Sequence, residues 1–232
     1  MDNGPTVKLL HYTPLWVCSD AIRTCWNSNN KSDTCFSEDS YFMGQKDLDL
    51  IDRVGNKFKH SSTLEHLYYN MHLSDVSRAL LQELARHRHA SLSVKSSRYT
   101  LKELKSEDQF NDFHNEHDFA RASKYLVWSG VHDVDITTFF ALEDLRSLIN
   151  EGISNDLAKL AMPENYKTEL AWSINARSLQ NFLNLRTNKA AFWEIRKLAH
   201  TIFEALPDDH KYLFEDCIYT EKLKEIDENC QN

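Results

Sequence analysis

The segment Glu65–Leu73, EHLYYNMHL, contains the clearest strand pattern in the chain, because apolar and polar side chains alternate along it. One face would carry the odd-numbered side chains of Leu67, Tyr69, Met71 and Leu73. The other face would carry two histidines and an asparagine. This period of two predicts a β-strand with one buried face and one polar face.

A second alternating segment, Thr168–Asn175, places Leu170, Trp172 and Ile174 on one face and predicts a second strand. Helical spacing and capping residues predict helices around the two strands. The predicted helices cover Pro14–Trp26, Ser74-Asp75 to Ala85, Thr137–Asn150, Ser154–Pro163 and Asn188–Leu206, and Asn27–Gly44 is predicted to be a loop. Because strands and helices do not alternate regularly, we expect an α+β fold with a mixed or antiparallel sheet flanked by helices.

The composition is typical of a globular enzyme-sized chain, and we expect residues 1–232 to form a single domain. Only 5 glycines and 4 prolines favour long regular elements. The net charge of −8 argues against a broad nucleic-acid-binding face. No apolar run is long enough for a signal peptide or a membrane span. The five cysteines show no C-x-x-C spacing, which favours reduced thiols in a cytoplasmic protein over a disulfide framework or a zinc site.

A basic and polar cluster, Arg86–Tyr99, follows the predicted strand and helix that begin at Glu65. Cations at a helix end can simply complement the negative end of the helix dipole. However, two arginines and two histidines crowd together here, and Ser96, Ser97 and Arg98 follow them. Hydroxyl groups and a guanidinium are donors that bind a phosphate monoester through charge-assisted hydrogen bonds. The cluster therefore indicates an anion site in an acidic protein.

A second polar cluster, Asn175–Arg186, starts where the second predicted strand ends. Arg177 and Asn181 are four residues apart, so they share one face if the segment is helical. Asparagine amides both donate and accept hydrogen bonds, and the arginines add fixed positive donors. The same polar residues would also suit a solvated helix face. The apolar residues of this segment that are expected in the core are Leu179, Phe182 and Leu183.

These two clusters, in this order, resemble the flavin-dependent thymidylate synthase family. The family signature is Arg-His-Arg, then seven residues, then Ser, and it matches Arg86-His87-Arg88 followed by Ser96. The upstream segment HSSTLEH, residues 60–66, is similar to the family's His-x-x-x-x-Glu-His segment. Asn175–Arg186 is similar to a second family motif. The resemblance runs from about Leu9 to about Phe214, which is most of the chain.

The resemblance implies a function: reductive methylation of dUMP to dTMP, with FAD as cofactor, NADPH as reductant and 5,10-methylenetetrahydrofolate as carbon donor. It also implies a homotetramer whose active sites are shared between subunits, with no membrane or nucleic-acid partner. The residues that it implies for flavin binding are His60, Ser62, Glu65, Arg86, His87, Arg88, Asn175, Arg177 and Asn181. The residues that it implies for dUMP binding are Glu83, Arg86, Ser96, Ser97, Arg98, Lys159 and Arg186, and it implies no metal ligand.

Arg186 is implied to be the catalytic residue. Its guanidinium would contact the uracil and favour ionisation of the N3 proton. A guanidinium keeps its charge and stabilises an adjacent anion, which agrees with this role.

Four positions depart from the family pattern. Glu83 belongs to a Gln-Glu pair where Arg-Gln is common, and a carboxylate would repel phosphate, so we expect it to accept a hydrogen bond from a sugar hydroxyl. Lys159 stands where Arg is usual, so it keeps the charge but loses the bidentate fork. Val94 replaces a polar residue and Cys25 replaces a serine.

Two other classes of function fit parts of the sequence. A non-enzymatic nucleotide-binding or RNA-binding module would use the basic run and Tyr99, but the acidic total charge disfavours it. A metal hydrolase would use some of the histidines, but the H-E-x-x-H motif is absent. The visible spectrum separates these classes, because bound flavin would colour the purified protein yellow.

Overall fold

The computed structural model describes residues 4–38 and 40–219. Its strands are β1 (Thr6–Tyr12), β2 (Cys35–Phe36), β3 (Tyr41–Phe42), β4 (Tyr68–Ser77), β5 (Ala90–Val94) and β6 (Lys167–Asn175). Its α-helices are α1 (Leu15–Cys25), α2 (Gln45–Ile51), α3 (Arg78–Leu84), α4 (Ser97–Lys105), α5 (Glu116–Ala122), α6 (His132–Asn150), α7 (Asn155–Ala158), α8 (Ala176–Arg186) and α9 (Trp193–Ala205). The main sheet is antiparallel, with strand order β1-β4-β6-β5, and β2 and β3 form a separate pair. The expected α+β class, with an antiparallel sheet flanked by helices, is confirmed.

The alternation in the two predicted strands reports correctly which face of the sheet is buried. Met71 of β4 lies opposite Trp172 of β6, and Leu73 lies opposite Leu170. These four side chains are each at most 2% exposed. They belong to one hydrophobic cluster with residues of α1, α3, α8 and α9, so these helices cover one face of the sheet. Burial of this apolar surface is the main term that stabilises the arrangement.

The first predicted strand begins later than expected. Ser61–His66 forms a 3₁₀ helix, and β4 begins only at Tyr68. Glu65 and His66 are therefore not in the strand. The predicted start was too early because the alternation begins only at His66 and Leu67: Glu65 is polar at a position where the pattern requires an apolar side chain.

The predicted helix start at Ser74-Asp75 is wrong, because β4 continues through both residues to Ser77. The pairing with β6 shifts register between Leu73 and Val76, and Asp75 has a φ of 57°. Such a bulge inserts an unpaired residue and breaks the period of two, so the strand no longer looks like a strand in the sequence. The helix cap is Ser77, whose hydroxyl accepts a hydrogen bond from the backbone N–H three residues later, at 3.0 Å.

The other predicted helices are confirmed with changed ends. Helix α6 starts at His132, before the predicted start, and α9 starts only at Trp193. Phe192, which lies within the predicted helix, precedes α9 and is 36% exposed. The segment after Ser154 is a short α-helix followed by a 3₁₀ helix, Lys159–Ala161. The predicted loop Asn27–Gly44 contains the β2–β3 pair.

A second hydrophobic cluster lies beneath α4, α5 and α6, which the sequence patterns did not connect. Leu101 and Leu104 of α4 pack there with Phe139 and Leu142 of α6. This packing fixes the start of α4, where Ser97 and Arg98 are located. Among the described residues, no helix has the length and apolar character needed to cross a membrane.

Candidate functional site

The pairing of β5 with β6 brings the two polar clusters together. Ala90, the first residue of β5, lies opposite Ile174 of β6. Because the pair is antiparallel, the residues that precede β5 lie beside those that follow β6. Arg86-His87-Arg88 therefore lies next to Asn175 and the start of α8, although about 90 residues separate the two clusters in the chain.

A pocket with a volume of about 1160 Å³ opens at this junction. The predicted site residues that line it are Glu65, Arg86, His87, Arg88, Asn175, Arg177, Asn181 and Arg186. The walls thus contain both sequence clusters and one residue of the 3₁₀ helix Ser61–His66. Its volume lies just above the usual range of about 300–1000 Å³ for ligand pockets, so it has room for a large ligand such as a dinucleotide.

The walls of the pocket are strongly basic although the protein is acidic. Four arginines line it, against the single carboxylate of Glu65. The N-terminus of α8 also faces the pocket, because Asn175, Arg177 and Ser178 are lining residues. The positive end of a helix dipole and guanidinium groups both favour an anion. The pocket therefore suits a ligand with phosphate groups.

Asn175 and Arg177 are held by local contacts. The side-chain oxygen of Asn175 caps α8 by accepting from the Ser178 backbone N–H at 2.8 Å, which leaves the amide NH₂ as a donor. The Arg177 guanidinium donates to the Glu65 carboxylate at 2.6 Å, and both side chains are about half exposed. Glu65 thus connects the 3₁₀ helix to α8 at the mouth of the pocket.

Arg186 is the most tightly held guanidinium of the pocket. Its Nη1 donates to the Glu83 carboxylate at 2.7 Å, its Nη2 to the Glu83 carbonyl at 3.3 Å, and its Nε to His87 Nε2 at 3.0 Å. Burial of the ring, and then the nearby charge of Arg186, lowers the pKa of His87 to about 4. The imidazole is therefore neutral at physiological pH, and its Nε2 can accept the hydrogen bond from Arg186.

Two further predicted flavin residues lie on the segment that contains Glu65, but they are not among the lining residues of this pocket. His60 immediately precedes the 3₁₀ helix, and Ser62 is its second residue. Both are exposed. Glu83 is also not a lining residue, and it reaches the pocket through Arg186.

Four of the residues predicted to bind dUMP, three of them its phosphate, form a separate group around the start of α4. Ser96 caps this helix, its hydroxyl accepting from the Arg98 backbone N–H at 3.4 Å, and Ser97 is its first residue. Asp156 of α7 lies 3.5 Å from the Arg98 guanidinium and 3.6 Å from the Lys159 ammonium. The structure thus brings Ser96, Ser97, Arg98 and Lys159 together, but outside the lining of the pocket that contains Arg186.

Comparison with known proteins identifies the family. The family model described as thymidylate synthase complementing protein (Thy1) matches residues 8–210. A flavin-dependent thymidylate synthase of Wolinella succinogenes is 58% identical over 209 residues, which are 90% of this chain and 97% of that protein. The chain belongs to the flavin-dependent thymidylate synthase family. The resemblance found in the sequence is confirmed.

Other members of the flavin-dependent thymidylate synthase family agree in sequence and in structure. The enzyme of Campylobacter jejuni is 55% identical over 213 residues, which are 92% of this chain and 97% of that protein. A crystal structure of ThyX from Helicobacter pylori with FAD and dUMP superposes with a TM-score of 0.84 at 54% identity, and the match covers 93% of this chain and all of that chain.

Several lining residues of the pocket were not expected from the sequence. Asn184 lies seven residues after Arg177 and three after Asn181, so helical periodicity alone would have placed it on the same face. His89 directly follows the Arg-His-Arg motif and also lines the pocket. Tyr219, in contrast, approaches from the far end of the chain without any signal in its neighbourhood. In residues 4–38 and 40–219, no three histidine, cysteine or acidic side chains are arranged to hold a metal ion.

Proposed function

We propose that this protein is an FAD-dependent enzyme that reductively methylates dUMP to dTMP, with 5,10-methylenetetrahydrofolate as carbon donor and NADPH as reductant. The observation that carries the proposal is the basic pocket in which the Arg86-His87-Arg88 motif meets Asn175, Arg177, Asn181 and Arg186. The proposal is also supported by the H. pylori relative, whose crystal structure contains FAD and dUMP.

The donor groups of the pocket fit a dinucleotide such as FAD. Arg86, Arg88 and Arg177 are the guanidinium groups that would hold its phosphates, and the N-terminus of α8 would add backbone donors. Asn175 and Asn181 would supply neutral amides for polar edges of the cofactor. Bound FAD would supply the redox chemistry, which no side chain of the pocket can perform.

The other predicted flavin residues are assigned more distant roles in the same proposal. Glu65 orients Arg177 through their 2.6 Å contact. His60 and Ser62, which lie on the adjacent exposed segment, would contact the part of the cofactor that extends beyond the pocket. His87 is neutral and accepts from Arg186, so it would orient that residue as well as contribute to the flavin site.

Arg186 is the residue that we assign to the pyrimidine. A fixed guanidinium beside the uracil stabilises negative charge on the ring and makes the carbon that receives the one-carbon unit more nucleophilic. This route needs no covalent bond between the enzyme and the uracil. None of the described cysteines lines the pocket.

The phosphate of dUMP is assigned to Ser96, Ser97, Arg98 and Lys159. These four side chains lie outside the pocket of their own chain. We therefore propose that the protein is a homotetramer in which these side chains of one subunit complete the pocket of another. Exposed apolar side chains beside the group support this assembly, since Leu157, Leu160 and Tyr99 are 62%, 80% and 69% exposed. Apolar patches of this kind usually mark protein contacts.

We further propose that residues 1–232 act as a single domain and that the protein works in the cytoplasm. The free thiols of Cys18, Cys25, Cys35 and Cys217 fit a reducing compartment. Cys230 lies outside the described residues.

The test begins with purified protein, which is denatured and analysed for released FAD. Turnover is then assayed with dUMP, methylenetetrahydrofolate and NADPH, omitting each in turn. Arg177→Ala should weaken FAD binding about 10- to 100-fold, because a hydrogen bond to a charged group is lost. Lys57→Ala is the matched control, since it removes an exposed ion pair with Asp52 outside the pocket. A protein that neither releases nor takes up FAD, or that forms no dTMP, would refute the proposed function.

A further inference from the structure

The Arg186 guanidinium is almost completely oriented before any ligand contacts it. Three of its five N–H groups are already used, two by Glu83 and one by His87. The side chain is 16% exposed. Two N–H groups remain, which is the number needed for a bidentate contact with a planar ligand edge.

Glu83 holds the Arg186 guanidinium through both its side chain and its backbone. Its carboxylate accepts from Nη1 at 2.7 Å, and its backbone carbonyl accepts from Nη2 at 3.3 Å. Its second carboxylate oxygen lies 3.9 Å from the Arg86 guanidinium. Both oxygens of Glu83 are therefore directed at arginines.

The third contact is made by His87, which is neutral and whose ring is held in a fixed position. The ring packs edge-on against Phe182 with a centroid distance of 5.0 Å, and Phe182 is fully buried. Because the imidazole accepts through Nε2, its proton must lie on Nδ1. Because this nitrogen is neutral, only the Glu83 carboxylate balances the charge of Arg186 among these contacts.

We propose that Glu83 is a positioning residue, which acts on the pyrimidine through Arg186 by fixing the plane of its guanidinium. This inference rests on the proposed function, in which Arg186 contacts the uracil. It replaces the sugar-hydroxyl contact expected from the sequence with an indirect role. Because negative charge on the ring develops in the transition state, a guanidinium that is already oriented stabilises it without reorganisation, and this raises turnover more than ground-state binding.

The test is a double-mutant cycle with Glu83→Ala, Arg186→Ala and the combined variant. Glu83→Ala should lower kcat about 10- to 100-fold, with a smaller change in KM for dUMP and unchanged flavin content. In the Arg186→Ala background the same change should have almost no effect, because residues that act through one group are not additive. Glu83→Gln keeps a carbonyl acceptor and should recover part of the loss. If steady-state turnover in the Arg186→Ala background is too low to measure, the cycle is completed with single-turnover rates of dTMP formation by the flavin-loaded protein.

Two controls make the outcome specific. Glu164→Gln alters a carboxylate that binds Gln82 of α3 at 2.8 Å without contacting Arg186, and it should behave like the parent. The nucleotide 2′,3′-dideoxyuridine monophosphate, which lacks the 3′-hydroxyl of dUMP, should show the same loss with Glu83→Ala. Additive effects in the cycle, or a loss that disappears with this nucleotide, would overturn the inference. A parent protein that binds FAD and forms dTMP would at the same time leave the proposed function intact.

Discussion

Replacement of Ser77 should show how much a hydrogen bond to a buried carboxylate adds to the stabilisation that a helix cap provides. Its hydroxyl accepts from the Leu80 backbone N–H at 3.0 Å and also donates to the carboxylate of Glu194, which is 1% exposed. Its backbone N–H donates to the same carboxylate at 2.7 Å. Ser77→Ala therefore removes the cap of α3 and one of two donors to a buried acid. Helix α3 leads directly into the Arg86-His87-Arg88 motif.

The expected loss of stability follows from these two contacts. A lost N-cap costs about 1 kcal/mol, and a lost hydrogen bond to a charged group costs about 1.5–3 kcal/mol. Ser77→Ala should therefore lower the free energy of unfolding by about 2.5–4 kcal/mol near neutral pH. Burial already raises the pKa of Glu194, and loss of the hydroxyl should raise it further. A protonated carboxyl needs the donor less, so the difference from the parent should shrink as the pH falls.

Urea denaturation of the flavin-loaded protein at two pH values measures this loss. Asn115→Ala is the matched control, because the Asn115 side chain caps α5 by accepting from the His117 and Asp118 backbone N–H groups at 3.0 and 3.1 Å. That variant should lose only about 1 kcal/mol. If Ser77→Ala lowers the free energy of unfolding no more than Asn115→Ala does, the contact with Glu194 does not stabilise the protein and the prediction is wrong.

Three further predictions concern binding, pH and thiol chemistry. Arg98→Ala should weaken dUMP binding about 10- to 100-fold and leave the flavin content unchanged. Calorimetry with dUMP and deoxyuridine measures this, and an undiminished preference for dUMP would exclude Arg98 as a phosphate ligand. Burial lowers the pKa of His210 from 6.5 to about 4, so the unfolded chain takes up the proton at a higher pH than the folded protein. This residue should therefore lower the free energy of unfolding by about 2 kcal/mol between pH 8 and pH 5. Urea unfolding of His210→Gln should show a weaker dependence of this free energy on pH, and the same dependence as in the parent would contradict the assignment. Burial raises the pKa of the Cys18 thiol to about 12, which opposes a thiolate nucleophile; separate Ala variants of Cys18 and Cys25 should keep dTMP formation, and complete loss of turnover in either folded variant would contradict a mechanism without cysteine.

The strongest local patterns in the sequence correspond to real elements. The alternation around Met71 and Trp172 predicts two strands whose buried faces the structure confirms, since both side chains are at most 1% exposed. The helical spacing of Leu179, Phe182 and Leu183 predicts a buried face, and all three are fully buried in α8. These features are readable because their periods depend only on the geometry of a strand or a helix.

Elements that depend on a partner strand were not predicted. Strand β1 runs along one edge of the sheet, and β5 lies at the opposite edge inside the Arg86–Tyr99 cluster. No residue of either strand is fully buried, so the two strands have little periodic signal, because pairing rather than burial defines them. The bulge at Asp75 had the same effect within β4 and moved the predicted start of the next helix.

The sequence by itself determined which groups the site can use: the arginines, asparagines and hydroxyl residues of the Arg86–Tyr99 and Asn175–Arg186 clusters, whose order identifies the family. Only the tertiary structure decided which of these groups contact each other. Glu83 and Arg186 are 103 residues apart in the chain, and Glu65 and Arg177 are 112 apart. Their contacts depend on how α3 and α8 pack on one face of the sheet and on the register of β4, β5 and β6, which are set by many distant apolar contacts rather than by the residues of the site.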